Sequence, residues 1–169
     1  MATTKLKGNT VNLAGNEVNV GDKAPEVTVV NSDGLADKVV GGAQGKTQLI
    51  VVVPSLDTPV CATETRNFNA KAAELDNVDV TVVSMDLPFA AGRFCSTEGI
   101  DNLVVASDFR NKDFANAYGV LIADGALAGV TCRAIFVVNK DGVVTYKEIV
   151  PEITEEPNYD AALEAAKNA

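Results

Sequence analysis

The chain has 169 residues, 47% of them hydrophobic, and a formal net charge of −9. That length suits one domain, residues 1–169, whose core needs no disulfide support, and the charge argues against phosphate backbones (no nucleic acid) and anionic surfaces (no membrane), since both select basic patches. The sequence contains no histidine, which excludes Cys-His and Ser-His catalytic pairs and His-ligated zinc or haem; no metal and no cofactor is expected.

The opening "MATTKLKGNT" lacks the apolar centre of a signal peptide, and no apolar run reaches membrane-spanning length, so a cytoplasmic setting is the expectation. The first elements read as β. "TVNLAGNEVNV" predicts a hairpin about Ala14-Gly15-Asn16, and "EVTVVNSDGLADKVV" predicts a second about Asn31 to Gly34. "GGAQGKT" at 41–47 approaches a phosphate-binding loop, but the pattern needs glycine where Val40 stands and a helix where "QLIVVV" reads as a strand; a glycine-rich turn is the better reading. "QLIVVV" (48–53) is a continuous apolar run, the mark of a strand covered on both faces.

Pro54 ends that run, and helical periodicity is predicted from Pro59 to Leu75, with Cys61, Phe68 and Leu75 near one stripe. "VDVTVVSM" (78–85) is a further strand, parallel to the earlier one through a right-handed crossover. "DLPFAAGRFCSTEGI", with Pro88, Gly92 and Gly99 and no clean periodicity, is predicted as a mobile connection carrying Cys95. A short strand at 102–107, a short helix stopped by Gly119, two strands joined by "NKDG" and an alanine-rich closing helix complete the chain. The predicted architecture is a mixed α/β sandwich, helices flanking a sheet that is parallel in the middle and antiparallel near its end.

Three widely spaced cysteines do not make a secreted disulfide framework. Thr58 has the chemistry of an N-cap and Pro59 suits the first helical position. Cys61 then falls beside unpaired amides and the positive end of the helix dipole, an environment that favours a thiolate. The alternative is a buried, inert cysteine. Arg133, the lone charge in the apolar run "TCRAIFVV", is the candidate cation, and Glu64, one turn beyond Cys61, the candidate to orient it; the alternative is an arginine reaching solvent from a strand end. Strand alternation sends Cys132 to the face opposite Arg133 and so into the core. Cys95 admits two readings, a resolving thiol or a residue packed beside Phe94.

Pro54, Thr58 and Cys61 reproduce the Pro-x-x-x-Thr-x-x-Cys motif of the peroxiredoxins. Together with "SLDTPVCATETRNFN", "DLPFAAGRFC", "SDFRNKDFANAYGV" and "CRAIFVVNKDG", the chain resembles the atypical two-cysteine members of that family. The resemblance implies a thioredoxin-like fold with a mixed central sheet flanked by helices and an N-terminal β-hairpin extension. It also implies reduction of hydrogen peroxide and alkyl hydroperoxides, electrons from thioredoxin, and a homodimer. By motif match Cys61 would be the peroxidatic cysteine, Thr58 and Arg133 its activating partners, and Cys95 the resolving cysteine that pairs with Cys61 in a redox disulfide. Pro54 would shield the pocket. Cys132 matches no catalytic position. A redox-sensing interaction module using the same disulfide without turnover is the competing expectation. A thioredoxin-type reductase lacks its Cys-x-x-Cys.

Overall fold

The computed structural model describes residues 2–169. It begins with β1 (Thr3–Leu6) and β2 (Asn9–Ala14), an antiparallel pair in which Thr3 faces Asn12 and Leu6 faces Asn9. The turn is Lys7-Gly8, both at positive φ, as a two-residue hairpin that follows strand twist requires. The hairpin is therefore not at Ala14-Gly15-Asn16 as predicted. Gly15 instead leaves β2 and runs so close to Asn116 that an added Cβ would lie 2.5 Å from its carbonyl oxygen. The residue is small because another backbone crosses there.

Next come β3 (Val27–Asn31) and β4 (Asp37–Val40), the second hairpin as predicted, and β5 (Thr47–Val52). The Gly-rich stretch between β4 and β5 is a turn and opens no helix. The buried Gln48 side chain accepts from the Gly41 amide and donates to the Gly41 and Gly42 carbonyls, tying the turn down. Helix α1 (Pro59–Ala72) ends a turn earlier than the periodicity suggests, although Leu75 still packs into the core.

The chain continues through β6 (Val78–Ser84), α2 (Pro88–Glu98), β7 (Val104–Ser107), α3 (Asp113–Tyr118) and β8 (Leu121–Ile122), a two-residue strand the sequence pattern does not reveal. It closes with β9 (Ala134–Val138), β10 (Val144–Ile149) and α4 (Tyr159–Asn168).

The seven-stranded sheet runs β10-β9-β5-β6-β7-β3-β4, parallel for β5-β6-β7 and antiparallel outward on both sides. This is the thioredoxin-like architecture that the sequence suggests, and β1-β2-β8 form a separate small sheet. Every residue of β5 is buried. Its alternate side chains divide the core: Leu49 and Val51 join the cluster containing Phe68 of α1 and Leu163 of α4, while Ile50 and Val52 join the one containing Phe114 and Tyr118 of α3. Among the described residues no helix is long and apolar enough to cross a membrane.

Residues 88–98 form a regular helix, not the predicted mobile connection. Pro88 stands at its first turn and Gly99, at φ 66°, is its left-handed C-cap. The punctuation that suggests a loop marks the two ends of a helix instead, and Ala91 and Phe94 bury one side of it.

Candidate active site

The C-terminal end of β5 and the start of α1 meet at Pro54-Ser55-Leu56-Asp57-Thr58. Pro54 is buried two residues past the end of β5, where it cannot extend the ladder. Thr58 occupies the N-cap position but makes no side-chain cap. Its hydroxyl donates to the Ser55 carbonyl at 2.9 Å, and its amide points to the same oxygen at 3.2 Å. The predicted capping bond is thus replaced by a local turn, the usual competition between a threonine hydroxyl and nearby backbone. With its proton committed there, the hydroxyl offers lone pairs to an incoming O–H.

Cys61 is the third residue of α1 and fully buried. Arg133 stands immediately before β9 and is 2% exposed. Its Nη1 donates to Cys61 Sγ at 3.2 Å and to Glu64 Oε1 at 2.7 Å, while Nε donates to the Ile153 carbonyl at 2.8 Å. One guanidinium nitrogen therefore serves a sulfur and a carboxylate at once. Ile153, which no local signal singles out, fixes the plane of the arginine.

Glu64 is buried, and its Oε2 has no hydrogen-bond partner. Burial raises its pKa to about 7 against the opposing pull of Arg133, with Glu148 and Glu156 adding to the rise. Because the folded-state value lies above the unfolded one, Glu64 contributes stability that is present in full below about pH 4.5 and is lost as pH climbs through about 7. Urea titrations of wild type and Glu64→Gln at pH 5 and pH 8 should show the wild type losing on the order of 3 kcal/mol relative to the variant across that interval. Parallel pH dependence in the two proteins would show that Glu64 does not titrate there.

A pocket of about 270 Å³ opens beside this centre. Pro54, Thr58 and Arg133 line it together with the apolar side chains of Leu6, Leu127 and Ile153. Leu6 comes from the N-terminal hairpin, so that extension forms one wall.

Cys95 lies elsewhere. It sits on α2, partly buried, in a cleft of about 650 Å³ lined also by Ser32, Gly92, Ser96 and Asp101. Burial pushes its thiol pKa up, and a hydrogen bond with Ser32 opposes that. All three cysteines are free thiols. Cys132 and Arg133 precede β9 rather than lying in the strand, yet Cys132 belongs to the core cluster on the other face of the sheet from Cys61, and burial raises its pKa to about 12. The structure thus gathers Pro54, Thr58, Cys61, Glu64 and Arg133 at one centre and holds Cys95 in a separate cleft.

A thioredoxin-like sheet with a thiol in the first turn of α1 defines a class of thiol-based redox proteins, and comparison with known proteins narrows it. The Redoxin family model matches residues 19–163. A thiol peroxidase of Aquifex aeolicus (strain VF5) is 57% identical over 165 residues, covering 98% of this chain and 96% of its own. A thiol peroxidase of Campylobacter jejuni is 58% identical over 158 residues, covering 94% of this chain and 89% of its own. The crystal structure of a peroxiredoxin-like protein from Aquifex aeolicus superposes with a TM-score of 0.96 at 56% identity, over 99% of this chain and 97% of that one. The chain belongs to the Redoxin family. It is a peroxiredoxin-type enzyme, a thiol-dependent peroxidase.

Proposed function

We propose that the chain reduces hydrogen peroxide and alkyl hydroperoxides through Cys61, resolves the product with Cys95, and is recycled by thioredoxin. The observation that carries this reading is the Arg133 Nη1 shared between Cys61 Sγ and Glu64 Oε1 at a helix start. A cation in that place stabilises the oxygen on which charge develops as the sulfur attacks.

The Cys61 thiolate attacks the terminal oxygen of a hydroperoxide. An S–O bond forms, the O–O bond breaks, and the departing alkoxide or hydroxide takes a proton to leave as alcohol or water. Thr58 accepts the peroxide O–H, Arg133 stabilises the growing negative charge, and Pro54 keeps water from the pocket. The apolar lining from Leu6, Leu127 and Ile153 suits the carbon tail of an alkyl hydroperoxide.

Cys95 then condenses with the Cys61 sulfenic acid, forming a disulfide and releasing water. A disulfide needs the two Cα atoms within about 7 Å, whereas each cysteine sits in a regular helix in the reduced protein. The first turn of α1 and part of α2 therefore unwind in each cycle. A dithiol reductant, thioredoxin in this reading, returns both thiols. Exposed Leu87 and Phe89 at the start of α2 supply an apolar patch suited to a homodimer contact, and the chain acts in the cytoplasm as one domain.

Cys95→Ser tests the assignment. It should consume one equivalent of hydrogen peroxide per chain and then stop, with thioredoxin-dependent turnover reduced at least about 100-fold. Peptide mapping of oxidised wild type without reductant should recover a Cys61–Cys95 pair. Normal recycling of the variant removes Cys95 from the cycle.

A further inference from the structure

The Asp86 carboxylate ties the Cys61 loop to the root of the Cys95 helix. Its Oδ1 accepts from Ser55 Oγ at 2.7 Å. Its Oδ2 accepts from the Leu56 amide at 2.7 Å and from Ser84 Oγ at 2.8 Å. Ser55 in turn fixes Thr58, because both the amide and the hydroxyl of Thr58 point to the Ser55 carbonyl. On its other side Asp86 directly precedes Leu87, the N-cap of α2.

The two helices that start on either side of this carboxylate share a weakness. Neither Thr58 nor Leu87 caps its helix with a side chain, so the first turns of α1 and α2 lack the capping bond that usually secures a helix start. Pro59 and Pro88 remove one amide donor each, and Pro88 is buried. The hydrogen-bonded tie between the two starts is Asp86. Unlike the buried pair of Arg133 and Glu64, Asp86 is only partly buried, so water can replace its bonds when they break.

We propose that Asp86 is a positioning residue that acts as a releasable latch: intact, it holds Thr58 and the first turn of α1 for peroxide attack, and broken, it frees both helix starts for disulfide formation. This proposal rests on the cycle of Cys61 and Cys95 described above and adds a residue that governs the ratio of its two steps. Release forms or breaks no covalent bond; three hydrogen bonds to the carboxylate are exchanged for hydrogen bonds to water.

The test is a single turnover of the reduced full-length protein with hydrogen peroxide, quenched rapidly and read by mass spectrometry as thiol, trapped sulfenic acid and disulfide. Asp86→Ala should slow Cys61 oxidation about tenfold and speed the later disulfide step about tenfold, since each strut is worth roughly one decade. At high peroxide it should also accumulate less sulfinic acid. The control is Asn69→Ala, which removes bonds from α1 to Gly99, Asp101 and Asn102 at the far end of α2. That variant should leave the oxidation step unchanged. An unaltered ratio in Asp86→Ala, or the same slowing of oxidation in Asn69→Ala, overturns the latch. Should Asp86→Ala not fold, Ser55→Ala must shift the ratio in the same direction, and a wild-type ratio there overturns the latch equally. If wild type forms no Cys61–Cys95 disulfide, the cycle itself falls and the latch with it. A wild-type disulfide with no response to these variants refutes the latch alone.

Discussion

Cys61→Ser should abolish peroxidase turnover, lowering the rate by at least about 10³-fold, as loss of a nucleophile does. Serine matches the cysteine in shape, so the packing around the buried position 61 is kept, but its hydroxyl stays protonated and oxygen is a poor nucleophile toward an O–O bond. No other thiol is placed to substitute. Burial raises the pKa of Cys132 to about 12, and Cys95, also raised by burial, lies in a separate cleft away from Arg133. The check is thioredoxin-coupled consumption of hydrogen peroxide by wild type and variant at equal folded concentration. Residual turnover above about a tenth of wild type would place the reacting sulfur elsewhere.

Arg133→Met should slow Cys61 oxidation about 10²- to 10³-fold, the loss that follows removal of one fixed donor to a developing oxyanion. Its effect on stability should depend on pH. Removing one partner of a buried pair typically costs about 3–5 kcal/mol because the other charge is left unpaired. Here Glu64 already titrates at about 7 beside the arginine, and without the arginine its pKa rises further. The stability loss should accordingly be small near pH 5, where the carboxyl is protonated in both proteins, and grow as pH rises past neutrality. Arg133→Met with Glu64→Gln should recover stability at pH 8 and leave oxidation slow. Recovery of both, or of neither, would show that the arginine does not serve sulfur and carboxylate separately.

The helix over 88–98 shows how local signals mislead. Pro88, Gly92 and Gly99 look like breakers, yet Pro88 and Gly99 stand at the two ends, where such residues belong, and Gly92 is tolerated inside because Ala91 and Phe94 bury the helix against the sheet. The threonine before α1 misleads in a different way. Its type and position fit an N-cap, but the Ser55 carbonyl, brought near by a turn that Asp86 holds, accepts the hydrogen bond of its hydroxyl.

By itself the sequence determined the parts set by neighbouring residues. These are the buried strand of β5, the crossover to a parallel β6, a cysteine in the first turn of α1, and the split that sends Arg133 and Cys132 to opposite faces of the sheet. Periodicity, capping preference and alternation act over a few residues, so a single chain displays them. Only the tertiary structure decided that one Arg133 nitrogen is shared by Cys61 and Glu64, that Glu64 keeps an unpartnered oxygen, that Leu6 walls the pocket, and that Asp86 bonds the Ser55-Leu56 turn. Those contacts link residues far apart in the chain. Which of them form follows from how the whole core packs, a sum over many buried groups that no local pattern contains.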